Sequence, residues 1–122
     1  MVKTDGLYHI QLTVRDIARS LKFYQDVFGM QELFRAGPKM VFLNTPDSRD
    51  LITLNESPAE AAHAGDGGVA HFGFRLSDAS QIDTAVREVE RAGGQLIRRG
   101  EHAPGVPFAY VRDPDGYVIE LG

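Results

Sequence analysis

Alternation of apolar and polar positions opens the chain. From Gly6 to Val14, Tyr8, Ile10, Leu12 and Val14 make one face, and Leu7, His9, Gln11 and Thr13 the other. Period two predicts a half-buried strand, here with polar groups on its second face. The period then changes. Asp16 is a helix N-cap, and Ile17, Leu21, Tyr24 and Phe28 recur at helical spacing up to Gly29, a C-terminal stop. Strands are predicted at about 30–35, 39–44 and 50–55, separated by Gly37-Pro38 and Thr45-Pro46-Asp47-Ser48. Residues 58–68, rich in Ala and Gly, read as a linker, in which His63 is expected to be exposed.

The pattern then restarts. Gly68, His71 and Asp78 stand to Gly6, His9 and Asp16 at one offset, 62 (68 − 6, 71 − 9, 78 − 16). A second helix is predicted from about 79, with Ile82, Val86 and Val89 as its stripe and Gly93-Gly94 as its stop. Strands near 95–99, 107–112 and 117–121 follow, with a Gly/Pro-rich loop from Glu101 to Pro107. Thr45-Pro46-Asp47 corresponds to Asp113-Pro114-Asp115, and Ile52-Thr53-Leu54 to Ile119-Glu120-Leu121. The reading is an α+β fold of two tandem βαβββ modules, residues 1–57 and 69–122, joined by the linker at 58–68. One helix covers one face of four strands. The other faces are expected to form a cupped, partly open, eight-stranded barrel-like sheet around a cavity.

The register of the last hairpin decides what faces that cavity. Asp113-Pro114-Asp115-Gly116 fits a type I turn whose glycine goes left-handed, giving a bulged three-residue loop. Tyr110 then lies opposite Glu120, and Arg112 opposite Val118. A two-residue loop would instead send Tyr110 and Glu120 to opposite faces. With the bulged loop, His9, His71 and Glu120 all fall on cavity-facing positions. Two imidazoles and one carboxylate form the facial ligand set suited to Fe(II), and also to Mn, Zn, Ni or Co.

Composition narrows the classes. The 122 residues suit one compact unit. A net charge of −4 gives no electrostatic case for nucleic acid or an anionic membrane. No apolar run approaches a membrane span, and no basic-then-apolar leader opens the chain, so a cytoplasmic location is the default expectation. The absence of cysteine removes disulfides, thiolate ligands and thiol nucleophiles.

These residues resemble the vicinal oxygen chelate superfamily, which includes glyoxalase I, fosfomycin-resistance proteins, bleomycin-resistance proteins and extradiol dioxygenases. The resemblance covers essentially the whole chain. It implies ligand positions at His9, Thr53, His71 and Glu120. Thr53 departs from glyoxalase I, which has glutamate there, so three ligands remain, as in the dioxygenase and fosfomycin-resistance branches. The stretch from His102 through Tyr110, Asp113, Pro114 and Gly116 to Glu120 resembles the extradiol dioxygenase signature, with Ala109 a departure. That resemblance implies acid/base roles for His102 and Tyr110. Arg75, Arg112, Gln11 and Thr53 are the candidate substrate contacts. The implied function is a metal-dependent enzyme, dioxygenase-like, acting on a small substrate that chelates through adjacent oxygens. Glyoxalase-type lyase or isomerase chemistry, or fosfomycin-type thiol transfer, is the alternative. A metal-free binding protein of the bleomycin-resistance type is the rival from another class. The family also implies a homodimer with cups shared between chains, His9 from one and His71 with Glu120 from the other.

Overall fold

A computed structural model describes residues 1, 3 and 5–122. The first module holds β1 (Ile10–Val14), α1 (Ile17–Phe28), β2 (Gln31–Arg35), β3 (Met40–Asn44) and β4 (Ile52–Glu56). A short helix, α2 (Pro58–Ala61), lies in the linker. The second module holds β5 (Phe72–Phe74), a 3-10 turn at Ala79–Gln81 running into α3 (Ile82–Arg91), β6 (Gln95–Ala103), β7 (Val106–Arg112) and β8 (Val118–Leu121).

The helices form as their sequences dictate. Asp16 is extended and its carboxylate accepts the Arg19 N–H at 3.0 Å, a cap worth about 1 kcal/mol. Gly29, at φ 65°, ends α1 by donating to the carbonyls of Tyr24 and Gln25. Ile17, Leu21, Phe23 and Tyr24 are buried on α1, and Ile82, Val86 and Val89 on α3.

Two four-stranded mixed sheets result, ordered β1-β4-β3-β2 and β5-β8-β7-β6, and they do not close on each other. The parallel pairs carry the repeat into the register. Ile10, Gln11 and Leu12 lie beside Ile52, Thr53 and Leu54. Phe72, Gly73 and Phe74 lie beside Ile119, Glu120 and Leu121. The offsets are constant, 62 in the first strand (72 − 10) and 67 in the last (119 − 52). Both helices and the helix-facing residues of both sheets share one core, including Leu12, Val14, Leu43, Leu54, Val111, Ile119 and Leu121. On the opposite faces exposure is uneven: Gln11 and Gly73 are exposed, Glu120 and Tyr110 half-buried and Thr53 buried.

Three expectations need adjusting. β1 begins at Ile10 and β5 at Phe72, so His9 and His71 stand one residue before their ladders. Tyr8 is exposed and does not continue the apolar face of β1. β6 runs to Ala103, so His102 lies on a strand and not in a loop.

The hairpin turn of the second module is driven into the first module. The Asp115 carboxylate accepts from the Arg15 N–H at 3.0 Å, from the Arg19 guanidinium at 2.9 Å and from the Ser20 hydroxyl at 2.9 Å. Asp113 accepts from the Tyr24 hydroxyl at 2.8 Å and, on its other oxygen, from the N–H groups of residues 115, 116 and 117 at 2.9 Å. The Tyr117 hydroxyl donates to the Thr13 carbonyl and accepts from the Thr13 N–H, at 2.8 and 3.0 Å. Both aspartates are buried. Burial pushes the Asp113 carboxyl and the Tyr24 phenol above their ordinary values.

Candidate functional site

The turn that docks the modules also aims the carboxylate. Gly116 sits at φ 104°, and its N–H reaches the Asp113 carbonyl at 3.0 Å, while the Asp113 N–H reaches the Tyr117 carbonyl at 2.9 Å. The loop is therefore the three residues 114–116, and Tyr110 lies opposite Glu120, as does Arg112 opposite Val118. Carried across the sheet, this register sets four residues in one row: Gly73, Glu120, Tyr110 and Arg98. Directly paired residues share a face, so all four belong to the open side. Gly73 is required for closeness. A Cβ there would stand 2.9 Å from the Glu120 carbonyl oxygen.

Glu120 is the centre of the cluster. One carboxylate oxygen lies 3.1 Å from Nε2 of His71, and the other 2.7 Å from Nε2 of His102. The hydrogen bond to His102 is the main reason its carboxyl is held below the ordinary 4.5; the charges of both histidines act the same way. His102 reaches it across β7. The ladder between β6 and β7 slips between Glu101 and Ala103, and this bulge re-aims the imidazole. The ring then stacks on Phe108 at 4.3 Å. Phe108 itself lies over Gly100, where a Cβ would be 2.7 Å from the ring. The Tyr110 ring meets His71 edge-on at 5.0 Å.

The remaining candidates sit elsewhere. His9 lines a cavity of about 640 Å3 together with Arg75, Phe72 and Gly73. Its Nδ1 is buried without a hydrogen-bond partner among the described residues. Gln11 and His71 line a second cavity of about 330 Å3. Thr53 is fully buried, and its hydroxyl has no partner among the described residues. Arg112 donates to the Gly116 carbonyl at 2.9 Å, tying down the turn. His63 is exposed beside Asp66. Among the described residues, no three imidazole or carboxylate groups are already drawn into metal-holding geometry. The structure thus brings together His71, His102, Glu120 and Tyr110, and leaves His9 on the neighbouring cavity.

Sequence reasoning missed Arg98 and Phe108. Alternation along β7 would have put Phe108 on the face of Tyr110. Arg98 was hidden by two register slips in β6, one on each side of it.

Two of the expected donors are of the kind a divalent cation takes: Glu120 offers its carboxylate and His71 presents Nε2 3.1 Å from it, while His102 holds the other Glu120 oxygen by a hydrogen bond. Neutral imidazole and carboxylate are suitable ligands for Fe, Mn, Zn, Ni or Co.

Comparison with known proteins identifies the family and the fold. The sequence profile of the Glyoxalase/Bleomycin resistance protein/Dioxygenase superfamily matches residues 6–121. A catechol-2,3-dioxygenase of Bacillus subtilis is 33% identical over 116 residues; the match covers 93% of this chain but only 39% of that protein. The chain thus spans about two fifths of the length of that relative. A lactoylglutathione lyase of Neisseria meningitidis is 34% identical over 125 residues, covering 94% of this chain and 88% of the other. Among solved structures, a mutant of the fosfomycin resistance protein FosX from Listeria monocytogenes, complexed with Mn(II) and 1S,2S-dihydroxypropylphosphonic acid, superposes with a TM-score of 0.78 at 21% identity. That match covers 98% of this chain and 90% of the other, and it speaks to the fold alone.

Proposed function

Since the chain belongs to the Glyoxalase/Bleomycin resistance protein/Dioxygenase superfamily, we propose that it is a divalent-metal-dependent enzyme, dioxygenase-like, whose small substrate chelates the metal through two adjacent oxygens. The observation that carries this reading is the Glu120 carboxylate, bracketed by Nε2 of His71 at 3.1 Å and Nε2 of His102 at 2.7 Å, with Tyr110 opposite it in the sheet.

His71 and Glu120 would hold the ion on the open face of the second module, and His9 would complete the set from a second copy of the chain. His9 lines a neighbouring cavity while the described partners of Glu120 are His71 and His102, which supports a ligand supplied between copies. A cation bound there would stabilise negative charge developing on a chelated substrate oxygen. Fe(II) suits two imidazoles and one carboxylate; Mn, Zn, Ni and Co are the other candidates.

The chain's own groups do the rest. His102 Nε2 holds a hydrogen bond with Glu120; released from it, the same nitrogen can accept or return a substrate proton. The Tyr110 hydroxyl is a second proton donor on that face, its ring oriented by the edge contact with His71. Arg75 lines the His9 cavity and would meet the substrate from that side.

A lyase reading also has specific support, because the neisserial lyase matches at nearly full length. Thr53 in place of a fourth carboxylate favours the dioxygenase. One experiment separates them: load the protein anaerobically with Fe(II), admit oxygen with catechol, and follow oxygen consumption; in parallel, load Ni(II) or Zn(II) and assay lactoylglutathione formation. Oxygen uptake that requires both Fe(II) and catechol supports the dioxygenase. Lactoylglutathione formation without oxygen uptake supports the lyase. Failure to take up any of these metals sinks both and leaves a binding protein.

A further inference from the structure

The row across the second sheet does not end at the ligand and the phenol. Its last member is Arg98, on β6, paired with Tyr110. The guanidinium carbon lies 5.2 Å from the centre of the Tyr110 ring and 5.4 Å from that of Phe108. Cation–π contact with two rings biases a planar cation toward one orientation. Its neighbour Arg99 points the other way and pairs with Asp83 on α3. Arg98 has no carboxylate partner among the described residues, and it is exposed on the open face. An unpaired guanidinium so oriented, at a site wall otherwise made of rings, has the donors to take an anion.

The spacing limits what that anion can belong to. Glu120 and Arg98 are separated by two strand spacings, about 10 Å. Between them lie Tyr110 and Phe108, with His102 stacked on Phe108 and His71 edge-on to Tyr110. A ligand held at Glu120 by two oxygens would lay a flat body along these rings and bring its far end to Arg98.

We propose that Arg98 is the anion-recognising residue of this site, so that the substrate is a planar, aromatic chelator carrying a carboxylate at the end remote from its two adjacent oxygens. The proposal rests on the chelate reading above, and its test is built so that the two can fail separately. Binding is measured by calorimetry, with Mn(II)-loaded protein under anaerobic conditions, for 3,4-dihydroxyphenylacetate and for its neutral amide. The same acid/amide comparison is made with phenylacetate, which has no chelating oxygens, on metal-free protein by NMR shift titration. Wild-type protein is compared with Arg98→Gln and Arg98→Lys.

The expected result is that wild type prefers the acid over the amide by about ten- to a hundredfold, the range of a charge-assisted hydrogen bond. Arg98→Gln collapses that ratio to near one, and Arg98→Lys restores part of it. Equal affinities in wild type, or a ratio that survives Arg98→Gln, would overturn the proposal. If no metal is taken up, the chelate reading fails, and the phenylacetate pair alone decides. A preference for phenylacetate that Arg98→Gln abolishes then supports the anion site, and no preference overturns it.

Discussion

Two rows of side chains cross the two sheets at equivalent positions, and they could hardly differ more. In the first module the row is Gln11, Thr53, Phe42 and Phe34. In the second it is Gly73, Glu120, Tyr110 and Arg98. The backbone frame is the same, down to which residue of the first strand lies beside which residue of the last. The first row has a buried hydroxyl without a partner and two stacked rings 4.3 Å apart. The second has a carboxylate between two imidazoles, a phenol and a cation. Duplication supplied the register twice; charge was placed once. The turns differ in the same sense. Thr45–Ser48 is a surface turn with Asp47 at φ 65°, whereas the turn Asp113–Gly116 has both its aspartates buried against the other module.

The largest effect that can break this comparison lies in the turns. Asp115→Ala strips the Arg15 N–H, Arg19 and Ser20 of their acceptor. The expected loss in urea denaturation is about 3 kcal/mol, the low end for a broken buried pair, because the Arg19 side chain is 43% exposed. At the equivalent position, Asp47→Gly relieves a left-handed residue and should stay within about 1 kcal/mol of wild type. Equal losses would mean that the two turns do the same work.

Next come the first members of the two rows. Gly73→Ala drives a methyl into the Glu120 backbone, at a cost of about 1–3 kcal/mol. Gln11→Ala, its exposed counterpart, should cost less than about 0.5 kcal/mol. A tolerated alanine at Gly73 would show that β5 can move away from β8.

Thr53→Val removes a buried hydroxyl that has no partner. It is expected to raise stability by up to about 1 kcal/mol; a clear loss would point to a hidden partner and weaken the contrast with Glu120. The smallest effect is acid sensitivity. Glu120 is held below its ordinary 4.5, so it contributes stability above that value and loses it as pH falls through its lower folded value. In chelator-treated protein, Glu120→Gln should therefore lose less stability than wild type between neutral pH and the acid limb. Parallel curves would show that the histidine contacts do not bias its titration.

Much of the frame was legible in the sequence, because it rests on local signals. Asp16 and Gly29 bracket α1, the Ile82, Val86 and Val89 stripe marks α3, and Gly116 fixes the hairpin register that sets Tyr110 opposite Glu120. The repeat of His9 and His71 located two equivalent strand starts. Less legible was anything set by a slipped ladder or by packing between modules. Pro104, Gly105 and Pro107 made the strand residue His102 look like a loop residue, and the register slips of β6 hid Arg98. The contacts of Asp113 and Asp115 with Tyr24, Ser20 and Arg19 span at least 89 residues of chain, beyond the reach of any periodicity.

The central claim is that Glu120 and His71 hold a divalent metal, and that Thr53, the counterpart of Glu120, does not. Metal content per chain after anaerobic reconstitution with Fe(II) or Mn(II) and gel filtration tests it directly, on wild type, Glu120→Gln, His71→Ala and Thr53→Val. The account predicts close to one ion per chain for wild type and Thr53→Val, and a loss of most of it in Glu120→Gln and His71→Ala. Undiminished metal in Glu120→Gln and His71→Ala would contradict it.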